Sequence, residues 1–195
     1  LALENSLRRA VERGEMRLFY QPKYNVLTGE VSGLEALIRW QHPEMGMILP
    51  QEFIPLAEES ELIVAIGEWG IEEACRQNRA WQDDGMARVP VAVNVSSVQF
   101  GQRNFSEKVA AILARTGLPA ECLELEMTES ILMDNADNAM QTLRSFKEMG
   151  IKISVDDFGT GYSSLSYLSR FPIDELKVDR SFVLNVPGNS GDATI

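Results

Sequence analysis

Apolar runs recur along this chain, and many of them end in a polar or charged side chain. Strand-like stretches fall at residues 16–24, 31–40, 91–95, 122–127, 151–155 and 175–178. Helical patterns lie between the middle runs. After Leu62, for example, Ile63, Ile66, Gly70, Ala74 and Trp81 recur at helical steps and predict a face that packs on a sheet. Gly85, Gly117 and Gly150 each close a helical stretch ahead of a strand, where a C-terminal cap wants a left-handed residue. From residue 91 onward the strand–helix unit repeats at about 30 residues, the length of a βαβ element. Dense apolar strands alternating with helices predict an α/β fold with a parallel sheet covered by helices.

The strand ends carry the candidate chemistry. Five of them deliver Glu35, Asn94, Glu126, the pair Asp156-Asp157, and Lys177. An open doubly wound sheet and a closed barrel both fit the alternation. Functional side chains spread over five strand ends favour the barrel, because an open sheet concentrates them at its switch point. Oxygen ligands without cysteine or a neighbouring histidine point to Mg²⁺ or Mn²⁺. Asp157, beside Asp156, could hold a second ion, the two-metal arrangement used in phosphodiester cleavage. Lys177 interrupts an apolar strand and is expensive to bury unless carboxylates or phosphate pair with it; Asp179, two residues on, is a candidate partner. Arg39 alternates with Leu37 and Glu35 on one strand face, where a guanidinium can grip a phosphate. Gln21 is a further candidate for substrate contact. His42, ahead of Pro43, is expected to cap or pack rather than act as a base. Gly159 and Gly161 give the stretch after Asp156-Asp157 the freedom to bend over a ligand.

Composition narrows the class. The chain has 195 residues, 45% of them hydrophobic, enough for one domain with a sizeable core. A net charge of −11 argues against long nucleic acid, whose binding rests on many Lys and Arg contacts to phosphate. A small phosphodiester is still compatible, since bound cations invert the local field. The sequence has no apolar run long enough for a membrane span and no signal peptide. Cys75 and Cys122 read as buried reduced thiols, and a single histidine excludes a structural zinc site. A cytoplasmic acidic enzyme is the plain expectation, with a parent protein that could still be membrane-anchored.

Six separated motifs, in order, resemble the bacterial EAL domain: Tyr20-Gln21-Pro22; Glu35-Ala36-Leu37 with Arg39-Trp40 and His42-Pro43; Val93-Asn94-Val95-Ser96; Glu126-Met127-Thr128-Glu129; Asp156-Asp157-Phe158-Gly159-Thr160-Gly161; and Leu176-Lys177-Val178-Asp179. The resemblance implies a modified TIM (β/α)8 barrel and a phosphodiesterase that opens cyclic di-GMP to linear pGpG. The alternative within the family is a degenerate module that binds cyclic di-GMP without turnover. It also implies catalytic roles for Glu35, Asp156, Asp157 and Lys177, and metal ligation by Glu35, Asn94, Glu126, Asp156 and Asp157, with two ions expected. Gln21, Leu37 and Arg39 then contact substrate, and Glu129 anchors the glycine loop that links the metal site to a homodimer interface. An upstream GGDEF or sensory domain is the usual family neighbour, so residues 1–13 read as a lead-in helix and 14–195 as a partial EAL domain. Six strands are fewer than the eight of a barrel. The family's later strands carry another active-site glutamate and a guanine-contacting glutamine, for which this sequence has no positions. The final residues, Gly191-Asp192-Ala193-Thr194-Ile195, read as the start of a helix, which suggests a fragment whose strand edges are left unpaired. Glu61 stands where the family usually has glycine.

Overall fold

The structure, a computed structural model, describes residues 2–134, 136–158, 170–179 and 181–182. The strands are β1 (Met16–Tyr24), β2 (Val31–His42), β3 (Gly46–Ile48), β4 (Val91–Asn94), β5 (Leu123–Thr128), β6 (Lys152–Phe158) and β7 (Glu175–Val178). The helices are α1 (Ala2–Leu7), α2 (Pro50–Glu59), α3 (Leu62–Asp83), α4 (Ser97–Phe100), α5 (Phe105–Thr116), α6 (Glu129–Asp134) and α7 (Ala136–Met149). They build one sheet in the order β1-β2-β4-β5-β6-β7, with β3 folded back on β2. From β2 to β7 the path is parallel. All six expected strands are present, with ends shifted by up to three residues. Among the described residues the sheet is an arc whose outer strands are β1 and β7.

Three features depart from the sequence expectation. β1 runs antiparallel to β2. Only residues 25–30 join them, too few for the crossover that parallel strands need. Asn25 Oδ1 accepts the backbone N–H groups of Leu27 (2.9 Å) and Thr28 (3.2 Å), and Gly29 turns the chain at φ +72°. β3 was not expected; at three residues it is too short to show a period. The lead-in helix is also shorter than the expected residues 1–13. It ends at Leu7, where backbone bonds tighten to i−3 spacing, and turns carry the chain to Gly14. Leu7 and Ala10 are buried against Phe53 and Trp40, so this segment is part of the packed body.

Alternation decides which side of the sheet each residue serves. Leu123, Leu125 and Met127 of β5 join Val91 and Val93 of β4, Ile153 and Val155 of β6, and apolar residues of α3, α5 and α7 in the main core. The predicted α3 face is the buried one: Ile63, Ile66, Gly70 and Ala74. Trp81 meets Tyr20 edge-on at 4.7 Å. Gly85, Gly117 and Gly150 all have positive φ, as their place after helices requires. Cys75 and Cys122 are buried free thiols, and burial pushes the Cys75 thiol up to about 12. Glu61 takes the α2–α3 junction at φ 58°, a left-handed conformation that costs a residue with a Cβ about 1–2 kcal/mol.

Candidate active site

The opposite face of the same strands is charged. On β5, Glu124 and Glu126 alternate with the core residues and are as buried as they are, at 4% and 0% exposure. Glu35 comes from β2, where it lies opposite Gln21 of β1. Asn94 closes β4 level with Glu126, and Thr128 of β5 lies level with Asp156 of β6. The parallel register thus brings residues separated by up to 142 positions to one rim.

Lys177, from β7, occupies the centre of this rim. Its Nζ is 2.9 Å from Glu126 Oε2, 3.3 Å from Glu35 Oε2 and 3.6 Å from Asp156 Oδ2. Asn94 Nδ2 donates to the other Glu35 oxygen at 3.2 Å. Burial pulls the Lys177 ammonium down, but the hydrogen bond and charge of Glu126, with Glu35 and Asp156, hold it above the ordinary lysine range. Glu126 is held above the usual carboxylate range because its burial outweighs the two lysines bonded to it. The carboxylates nearest Lys177 are therefore those of three other strands. Asp179 instead accepts the backbone N–H of Ser181 at 2.8 Å.

Asp156 and Asp157 break strand regularity. Adjacent residues of a regular strand point to opposite faces, but the β6–β7 register slips between Val155 and Phe158, and Asp157 has φ 55°. A short acidic side chain tolerates this conformation better than most, and such strain is typical of functional positions. Partial burial and the charges of Asp156 and Asp179 raise the Asp157 carboxyl, against the opposing pull of Lys177.

Leu37 and Arg39, expected to contact a ligand, line an adjacent cavity of about 660 Å³, with Asn94 also in its wall. That size suits a small ligand. Arg39 lies 6.0 Å over the Phe19 ring and bonds the Ile38 carbonyl at 2.8 Å. Glu129 is buried where β5 passes into α6. The loop it was expected to anchor, with Gly159 and Gly161, falls outside the described residues, as does the helix start at 191–195. His42 caps a turn: its Nδ1 accepts the N–H groups of Glu44 and Met45, both at 3.2 Å, and its ring packs edge-on against Trp40.

The sequence reading missed Lys23. It lies on the inward face of β1, two residues from Gln21. Its Nζ bonds Glu126 Oε1 at 2.8 Å and Glu124 Oε1 at 2.9 Å. The signal was available: alternation with Phe19 and Gln21 turns Lys23 inward, and an inward lysine needs carboxylate partners.

Among the described residues no three acidic, histidine or cysteine side chains converge tightly enough to grip an ion as they stand. The Lys177 ammonium occupies the space between Glu35, Glu126 and Asp156. The surrounding donors are all oxygen, from Glu35, Asn94, Glu126 and Asp156, with Asp157 beside them, so the donor set fits Mg²⁺ or Mn²⁺.

Sequence models of known families add the deciding observation: the EAL domain matches residues 4–195. The chain belongs to the EAL domain family. It is 48% identical over its whole length to the bifunctional diguanylate cyclase/cyclic di-GMP phosphodiesterase MucR of Pseudomonas aeruginosa, covering 28% of that protein. It is 42% identical over 186 residues to the cyclic di-GMP phosphodiesterase PdeR of Escherichia coli, covering 95% of this chain and 28% of PdeR. The chain therefore spans little more than a quarter of these curated relatives. Among solved structures, the PaMucR phosphodiesterase in complex with c-di-GMP superposes with a TM-score of 0.94 at 48% identity, over 100% of this chain and 78% of that one. The arc β1–β7 is thus the sheet of an EAL domain, a TIM-barrel-like fold whose first strand is reversed.

Proposed function

We propose that this EAL domain hydrolyses cyclic di-GMP to linear pGpG with one or two divalent cations. The observation that carries the proposal is the Lys177 ammonium held among Glu35, Glu126 and Asp156 beside a cavity walled by Leu37 and Arg39. MucR and PdeR, both named phosphodiesterases, and the c-di-GMP complex of PaMucR support the substrate.

Glu35, Asn94, Glu126 and Asp156 would hold one Mg²⁺ or Mn²⁺, and Asp157 would help hold a second. Such ions supply Lewis acidity and activated water at neutral pH. The chain's own groups do the rest. Arg39 grips a phosphate, Leu37 gives the nucleotide an apolar wall, and Gln21 meets a guanine edge. Lys177 would orient the attacking water and neutralise charge on the phosphoryl oxygens. Water oxygen bonds to phosphorus, the P–O3′ bond breaks, and the departing 3′ oxygen takes a proton, leaving a 5′-phosphate. We extend the proposal to a homodimer and to an upstream GGDEF or sensory domain in the parent protein, in keeping with a bifunctional relative such as MucR. Among the described residues no helix is long and apolar enough to cross a membrane.

The test is incubation with cyclic di-GMP and Mn²⁺, followed by chromatography for pGpG. Glu35→Ala is expected to lower product at least ~100-fold. Tight nucleotide binding without product, in the unaltered protein, would replace the hydrolase with a sensor module.

A further inference from the structure

The two oxygens of Glu126 are sorted between two lysines on opposite sides. Oε2 meets Lys177 at 2.9 Å, at the rim with Glu35 and Asp156. Oε1 meets Lys23 at 2.8 Å, on the side of Glu124, one alternation deeper along β5. Resting on the proposed phosphodiesterase function, we infer that Lys23 is a positioning residue that holds the metal ligand Glu126 so that a single oxygen, Oε2, is offered to the cation.

The two lysines differ in how they are held. Lys177 shares its charge among three rim carboxylates, each a candidate metal ligand, so an arriving cation competes for all of its partners at once. Lys23 has a partner outside that set: Glu124 Oε1 at 2.9 Å, from a side chain only 4% exposed. Glu175 Oε1 adds a weaker contact at 4.0 Å. The Lys23–Glu124 pair is close to neutral and stays intact when the rim exchanges ammonium for metal. A buried carboxylate with one oxygen unbonded is costly, and a freely rotating one offers the cation two competing geometries. Lys23 removes both problems: it satisfies Oε1 and fixes the carboxylate plane. Mutating a partner that stands behind a metal ligand in this way typically costs about 10–100-fold in metal affinity. The backbone supports the placement, because β1 is antiparallel and feeds Lys23 toward the base of β5 while Gln21 faces Glu35 at the rim.

The test is Mn²⁺ binding by isothermal titration calorimetry with no nucleotide present, on the unaltered protein and on Lys23→Gln, Lys23→Arg and Glu124→Gln. Lys23→Gln is expected to weaken Mn²⁺ binding about 10–100-fold. Lys23→Arg, which keeps the charge and the donors, should recover most of it. Glu124→Gln, which leaves Lys23 in place but loosens its tether, should fall between. In turnover assays the Lys23→Gln defect should shrink as Mn²⁺ is raised, a dependence that loss of fold alone does not produce. Unchanged Mn²⁺ affinity in folded Lys23→Gln, with wild-type binding intact, overturns the inference and leaves the proposed function standing. If Lys23→Gln does not fold, unchanged affinity in Glu124→Gln overturns it equally. A wild-type protein that takes up no Mn²⁺ removes the proposed function and the inference together.

Discussion

The two faces of β5 are equally buried and held by opposite physics. Leu123, Leu125 and Met127 belong to the main core with residues of α3, α5 and α7, while Glu124 and Glu126 face the charged interior, and all five are 4% exposed or less. The apolar face needs only shape and area, about 25 cal/mol per Å² removed from water. The charged face carries a desolvation cost that hydrophobic contact cannot offset, so every carboxylate there is matched by an ammonium from another strand. Mutating the apolar face should therefore alter stability and spare chemistry; mutating the charged face should alter chemistry, with stability changing only as far as charge pairing is gained or lost.

The largest expected effect on the apolar side is from Leu125→Ala. Full burial among Val93, Ile153 and their neighbours predicts a loss of about 2–5 kcal/mol in denaturant unfolding. Mn²⁺ affinity of the fraction that stays folded should not change. A variant that lost metal binding while folded would show that the two faces are not independent.

On the charged side, Lys177→Met should reduce turnover about 10²–10³-fold. It should also lower the melting temperature of the metal-free protein, because Glu35, Glu126 and Asp156 lose their shared cation. Differential scanning fluorimetry with added Mn²⁺ checks the cause: the metal should restore the lost stability more fully in the variant than in the parent. A melting deficit indifferent to Mn²⁺ would argue that the rim is not a cation site.

This contrast also explains what could be read from sequence. The apolar face was legible because alternation and helical steps report burial directly, as at Ile63, Ile66, Gly70 and Ala74. The rim residues were legible because each stands out at the end of an apolar run. Their partners were not. Lys177 was expected beside Asp179, its neighbour in sequence, yet its nearest carboxylates are Glu126, Glu35 and Asp156, because a parallel register pairs residues that no local pattern connects. Lys23 was overlooked because it lies just past the Tyr20-Gln21-Pro22 motif, near the end of β1, in a stretch read only for Gln21. The antiparallel start could have been read from the short 25–30 connection. β3 could not, since three residues show no period.

Away from both faces, Glu61→Gly tests a cost that serves neither. The left-handed φ of 58° at the α2–α3 junction suits glycine, so the variant should gain about 1 kcal/mol, or a few degrees in melting temperature. Activity should be unchanged, since the junction lies outside the rim. A fall in stability would mean that the Glu61 side chain contributes more than its backbone costs.

The smallest effect, and the sharpest separation of stability from chemistry, is expected at Asp157. Its carboxyl is raised by partial burial and by the charges of Asp156 and Asp179, with Lys177 opposing. A raised acid binds its proton more tightly in the folded state, so its contribution favours folding below the ordinary aspartate value and is lost as pH rises through the raised one. At neutral pH without metal, the ionised Asp157 is therefore a liability. Asparagine keeps the shape, tolerates φ 55° and carries no charge. Metal-free Asp157→Asn should melt slightly higher than the parent near pH ~7.5, by less than about 1 kcal/mol, and the gap should narrow toward pH ~4.5. With Mn²⁺ and cyclic di-GMP the same variant should lose most of its turnover. If turnover survives, Asp157 does not take part in holding a cation, and its strained backbone requires another cause.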